Sequence, residues 1–148
     1  MSNSDGEPGD APVPPRDGEP RKKARGLSGC VILVVEDNQD SRDVLHYLVE
    51  RAGAKALVTS GGKEALRVLE STTVHLILCD LMMPGMDGFE FMQRLQESPK
   101  LRRIPVVAVT AFGTAADFRL TLEAGFAGHM VKPILSHTLE AELRRILT

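Results

Sequence analysis

The chain has 148 residues, 43% apolar and 26% charged, the composition of a globular domain with some length to spare. A formal net charge of −2 gives no basic field for nucleic acid, and the longest apolar runs fall far short of a membrane span of ~20 residues. Cys30 and Cys79 are too far apart for a metal-ligating pair; set in apolar runs, they read as buried, reduced thiols of a cytoplasmic protein.

Residues 1–28 hold five of the nine prolines, four of the 13 glycines and five residues of each charge sign. Their large aliphatic side chains are only Met1, Val13 and Leu27. Too little apolar surface is available to offset the entropy of ordering, so a disordered N-terminal tail is expected, with no apolar signal segment. Its basic run, Arg21-Lys22-Lys23-Ala24-Arg25, reads either as solvated charge or as a docking or anion-binding patch.

A folded domain is expected over residues 29–148. Cys30–Val35 is a continuous β-branched run, the pattern of a strand buried on both faces. Val44, Leu45, Leu48 and Val49 then form a helical stripe that stops at Gly53. A second strand is predicted over Ala56–Val58, then a helix carrying Ala65, Leu66, Val68 and Leu69. A third strand covers Val74–Cys79 and leads to a helix with Phe89, Phe91, Met92 and Leu95, ended by Ser98-Pro99. A fourth strand covers Ile104–Val109, and the helix after it runs over Ala115–Ala124 to Gly125. The fifth strand is Gly128–Val131, and the last helix carries Leu135, Leu139, Leu143 and Ile146 or Leu147. Five strands alternating with five helices imply an α/β fold: a parallel sheet covered on both faces through right-handed crossovers.

Ligands of open parallel sheets bind beyond the carboxyl ends of the strands. The first strand leads to Glu36-Asp37, the third to Asp80, the fourth to Thr110 and the fifth to Lys132-Pro133; the second offers only Thr59-Ser60. On their own, Glu36 and Asp37 could be a solvated loop before a helix cap. With Asp80 and Lys132 at the same edge, a divalent cation becomes the expected answer to the repulsion, and Mg²⁺ takes such oxygen ligands. A carboxylate, a cation site, a hydroxyl and a lysine are the parts needed to accept and hold a phosphoryl group.

The segments VILVVEDN (31–38), LILCDLMMPGMDGFEF (76–91), VVAVTA (106–111) and HMVKP (129–133) together resemble the response-regulator receiver family of two-component signalling. Separations of 43 residues from Asp37 to Asp80, 30 to Thr110 and 22 to Lys132 are similar to the family's. The resemblance implies a flavodoxin-like doubly wound sheet of order 2-1-3-4-5. It implies that Asp80 is the phosphoacceptor, that Thr110 and Lys132 hold the phosphoryl oxygens, and that Lys132-Pro133 is a cis peptide. It also implies that Mg²⁺ is held by Glu36 (through water), Asp37, Asp80 and the backbone carbonyl of Met82, with Pro84 and Gly88 shaping the loop after Asp80. Glu36 stands where the family commonly has Asp, and His129 where it often has Tyr or Phe. His129 is therefore either a surface residue of the strand end or a switch that follows Thr110.

The implied partners are a histidine kinase or histidine phosphotransfer protein, and a downstream protein bound by the 110–147 face. A homodimer formed on phosphorylation is a further option; neither nucleic acid nor membrane is expected. Such a domain is not an enzyme beyond its own phosphorylation and dephosphorylation. A stand-alone response regulator is the expected context, and a receiver excised from a hybrid sensor histidine kinase is the alternative. A metal-dependent phosphatase with an aspartyl nucleophile would want a second acid two positions after Asp80, where Met82 stands. Met82 and Phe112 flank the path of water to Asp80, as shields of the phosphoryl group or as side chains without kinetic role.

Overall fold

The computed structural model describes residues 27–148. The expected tail, with its basic run at 21–25, lies outside the described residues except for its last two positions. Five strands alternate with five helices: β1 (Val31–Val35), α1 (Gln39–Arg51), β2 (Lys55–Thr59), α2 (Gly62–Ser71), β3 (Leu76–Asp80), α3 (Gly88–Gln96), β4 (Val106–Thr110), α4 (Ala115–Ala124), β5 (Gly128–Val131) and α5 (Ser136–Leu147). A 3₁₀ turn at Leu101–Arg103, without a counterpart in the sequence reading, precedes β4. All neighbouring strands pair in parallel, in the order β2-β1-β3-β4-β5.

The two faces of the sheet carry separate cores. Leu33, Val35, Ile77, Cys79 and Ala108 point to one side, against Ala65 and Leu69 of α2 and Phe91, Met92 and Leu95 of α3. Ile32, Val34, Leu78, Val107, Val109 and Met130 point to the other, against Leu45, Leu48 and Val49 of α1 and Leu139 and Leu143 of α5. This division is the period-2 alternation of the strands read out in space. The α1 stripe is narrower than expected, because Val44 is exposed. Cys79 is buried as expected, whereas Cys30 is only partly covered.

Leu27 lies two positions before the expected start of the domain at residue 29 and packs against it. Its side chain is fully buried in the α1/α5 core, and its carbonyl accepts the Cys30 N–H at 3.0 Å. A lone aliphatic residue among prolines and glycines carries no periodic signal, so only packing reveals it. Leu27→Ala should destabilise the protein by about 2–5 kcal/mol, the usual cost of emptying a buried leucine site. Urea unfolding followed by circular dichroism measures it, and a loss below about 0.5 kcal/mol, typical of surface positions, would return Leu27 to the tail.

Candidate functional site

The sheet register sets the site. Asp80 is the last residue of β3, paired with Val109, and Thr110 is the last of β4, paired with Val131. Both are thus strand residues, one position further along than the sequence reading ended those strands. Glu36 follows β1, and its N–H donates to the Thr59 carbonyl at 3.1 Å. The peptide bond after Lys132 is cis, as the resemblance implied.

Carboxylate oxygens of Glu36, Asp37 and Asp80 lie within 4.8 Å of one another. Glu36 and Asp80 are buried and Asp37 is the more accessible. Lys132 compensates part of this charge. Its Nζ lies 2.8 Å from Glu36 Oε1 and 3.7 Å from Asp80 Oδ2, and 3.4 Å from Ser41 Oγ on α1. Glu36 Oε2 accepts the Asn38 N–H at 3.1 Å, and Asp80 Oδ1 accepts the Met82 N–H at 3.2 Å. Burial pushes the Asp80 carboxyl up to about 6; the Met82 N–H opposes this, the Glu36 charge adds to it and Lys132 offsets part. Burial also pushes up the neighbouring Cys79 thiol, with the charges of Asp80 and Glu36 adding, so Cys79 is core rather than nucleophile.

The loop after Asp80 depends on a close backbone approach. A Cβ at Gly88 would sit 2.7 Å from the Asp80 carbonyl oxygen and 2.7 Å from Leu81 Cα. The Gly88 N–H donates to the Leu81 carbonyl at 3.0 Å, closing the loop onto the start of α3, which Asp87 caps through the Glu90 N–H at 2.8 Å.

On the other side of the site, Thr110 is fully buried and its Oγ1 accepts the Phe112 N–H at 3.2 Å. The Phe112 carbonyl lies 2.8 Å from His129 Nε2, and His129 Nδ1 lies 2.9 Å from Thr121 Oγ1 on α4. The imidazole meets the Phe118 ring edge-on, with centroids 4.3 Å apart. His129 is therefore not a loose surface residue; it clasps the β4–α4 loop to α4. Met82 and Phe112 are both largely exposed, at 61% and 50%, so Phe112 is not packed into the sheet edge.

Sequence reasoning missed Ser41, Thr121 and Arg42. Arg42 Nη1 donates to the carbonyls of Glu36, at 2.9 Å, and of Asp37, at 3.2 Å. A usable signal existed: side chains lean toward the N-terminus of their helix, so a long donor in the first turn of α1 can return to the preceding loop.

The model of the response regulator receiver domain family matches residues 32–144. The chain belongs to that family. As a receiver domain of two-component signalling, it is 41% identical over 108 residues to an uncharacterized 14.6 kDa protein of Leptolyngbya boryana, covering 73% of this chain and 82% of that one. It is 34% identical over 103 residues to the polar-differentiation response regulator DivK of Brucella anthropi, covering 70% of this chain and 84% of DivK. The receiver domain of the sensor histidine kinase PA1611 from Pseudomonas aeruginosa, solved with a magnesium ion in its active-site cleft, superposes with a TM-score of 0.74 at 28% identity, covering 81% of this chain and 98% of that one. The receiver spans half or less of the longer curated relatives it matches. Among the described residues, no helix is long and apolar enough to cross a membrane.

The raised Asp80 carboxyl has a linkage consequence. A folded-state value of about 6, above the ordinary 3.8, means that folding favours the protonated form. Stability of the metal-free protein should fall as pH rises from about 4 to about 6, and the full cost should persist above that window. Asp80→Asn keeps the acceptor for Met82 N–H and removes the charge. In EDTA it should be more stable than wild type at pH 8, by on the order of 2–3 kcal/mol, and the gap should close toward pH 4. Urea melts across this range test it; a gap independent of pH would refute the assignment.

Proposed function

We propose that this receiver takes a phosphoryl group onto Asp80 from a histidine kinase or a histidine phosphotransfer protein, and that the modified form changes its protein partners. The observation that carries the reading is the junction at the sheet edge: a buried Asp80 carboxylate 3.7 Å from Lys132 Nζ, inside a three-carboxylate cluster. In the proposed step an Asp80 oxygen attacks phosphorus, an acyl-phosphate bond forms, and the bond to the donor's histidine nitrogen breaks. Lys132 pairs with a transferred oxygen, and the Thr110 hydroxyl donates to another.

The donor set suits a hard cation: Glu36, Asp37 and Asp80 would hold Mg²⁺ with the Met82 carbonyl, Glu36 acting through water. Bound there, the ion neutralises charge on the transferring oxygens. Lys132 and Glu36 form an ion pair at 2.8 Å, so Lys132 must release Glu36 at least in part to reach the phosphoryl group.

Thr110 and His129 are the proposed switch. When the Thr110 hydroxyl turns to the phosphoryl group it loses its place under the Phe112 N–H, and the Phe112 carbonyl that faces His129 moves with it. The 110–147 face is the proposed output surface. Its exposed Phe112, Phe118, Leu120, Leu122, Val131 and Leu135 suit a protein target, or a second copy of the chain on phosphorylation. The 84% coverage of DivK supports the stand-alone context, and the match to the PA1611 receiver supports the hybrid-kinase one.

Incubation with acetyl phosphate or a phosphorylated histidine kinase in Mg²⁺ should label Asp80. Labelling should vanish in Asp80→Asn and in EDTA; full labelling of Asp80→Asn, read by intact mass, would end the proposal. The lifetime of the product is a separate expectation. Met82 and Phe112 offer no strong hydrogen-bonding group to hold a water in line with phosphorus, so hydrolysis should be slow for a receiver. Met82→Asn with Phe112→Glu should shorten the half-life by about tenfold or more, the low end of what a positioned polar group supplies. A decay course no faster than wild type would mean that the two side chains have no kinetic role.

A further inference from the structure

We propose that Arg42 is a positioning residue for the divalent-cation site: its guanidinium fixes the backbone beneath Glu36 and Asp37, so that the acidic pair is set for Mg²⁺ before the ion arrives. The inference rests on the receiver reading of the acidic cluster and extends it to a residue of α1 whose guanidinium meets backbone carbonyls of the acidic pair.

The geometry is specific. Arg42 sits in the first turns of α1, after the Asn38 cap, whose side chain accepts the Ser41 N–H at 2.9 Å. Its side chain runs back along the helix to the loop that β1 leaves behind. One nitrogen, Nη1, donates to two consecutive carbonyls, Glu36 at 2.9 Å and Asp37 at 3.2 Å. A rigid planar donor bridging successive peptide groups fixes both peptide planes.

The two acidic residues depend on this differently. The Glu36 side chain has its own restraints, from the Asn38 N–H at 3.1 Å and Lys132 Nζ at 2.8 Å. Among the described residues no group donates a hydrogen bond to the Asp37 carboxylate, so its direction is set by the backbone below. That backbone is what Arg42 holds. Mg²⁺ tolerates little departure from octahedral geometry, so loosening one carboxylate should reduce affinity.

A cation beside a metal site should by charge alone weaken metal binding. Glu64 at the start of α2 feels that charge only weakly. Its carboxyl is held below the ordinary range mainly by the Ser60 backbone N–H and the Ser60 hydroxyl, with smaller help from the charges of Arg67 and Arg42. Positioning and repulsion consequently predict opposite signs for removal of Arg42, and that makes the two roles separable.

The test is a Mg²⁺ titration of the full chain without phosphodonor, read by calorimetry and by backbone amide shifts at Asn38 and Met82. Wild type, Arg42→Met and Arg42→Lys are compared, with thermal melts in EDTA to verify folding. Arg42→Met, which keeps the length and removes charge and donors, should bind Mg²⁺ about tenfold more weakly, the usual scale for losing a group that orients a ligand. Arg42→Lys keeps the charge but not the planar bridge, and should fall between the two. Unchanged or tighter binding by folded Arg42→Met would overturn the inference while leaving the metal site intact. If Arg42→Met does not fold, Arg42→Lys decides: binding equal to wild type would overturn it. Absence of Mg²⁺ uptake by wild type would overturn the cation site itself, and this inference with it.

Discussion

Lys132 crosses the carboxyl edge of the sheet to meet Glu36 at 2.8 Å, and the architecture of the site is organised around that contact. The two residues are 96 positions apart in the chain, one after β1 and one after β5. Only a sheet that brings the ends of β1, β3, β4 and β5 to one edge can join them. The exchange of an ion pair for a cation and a phosphoryl group is the electrostatic core of the proposed chemistry. Coulomb attraction in a partly desolvated cleft favours the observed Lys132–Glu36 pair. An unpaired buried carboxylate would be costly, so Glu36 and Asp80 need some positive partner in every state.

Rigidity is distributed unevenly around this contact. Asp80 and Thr110 end strands whose ladders continue to their last residue, and the β3 and β4 side chains before them are fully or nearly fully buried. Asp80 and Thr110 are therefore mounted on well-paired, buried strands of the sheet. The neighbouring loop and α4 are held more lightly. In α4 only Thr121 is buried, while Phe118, Leu120 and Leu122 face solvent. Few buried apolar contacts anchor this helix, which is the physical condition for a segment that can shift at low cost.

Much of this was legible in the chain. A run rich in β-branched residues marked the first strand and shorter apolar runs the others, the glycines and prolines between them marked stops, and Ala115–Ala124 and Gly128–Val131 were placed at their observed limits. The acidic residues, the threonine and the lysine could be assigned to strand ends because parallel α/β topology puts functional groups there. What could not be read was which charge pairs with which. Four charged groups at one edge allow several pairings, and only the fold shows that Lys132 serves two of them, Glu36 at 2.8 Å and Asp80 at 3.7 Å. Val44 misled because apolar residues at helical spacing also occur on solvent faces, where they cost little. Thr121 was invisible for another reason: it acts through a backbone carbonyl and an imidazole, partners that leave no pattern in composition.

The clasp at His129 contains a small problem of hydrogen counting. Nε2 faces the Phe112 carbonyl, which can only accept, so that nitrogen carries a hydrogen. The Thr121 hydroxyl has one hydrogen and two acceptors within reach, His129 Nδ1 at 2.9 Å and the Phe118 carbonyl at 3.0 Å. With a neutral ring, the hydroxyl donates to Nδ1. With a cationic ring, Nδ1 donates to the hydroxyl oxygen, and the hydroxyl rotates to the Phe118 carbonyl. Both forms satisfy every donor without moving a heavy atom. Thr121 is thus a rotor with two acceptors to choose from, and the tie between loop and helix keeps its heavy-atom geometry whichever one its hydrogen faces.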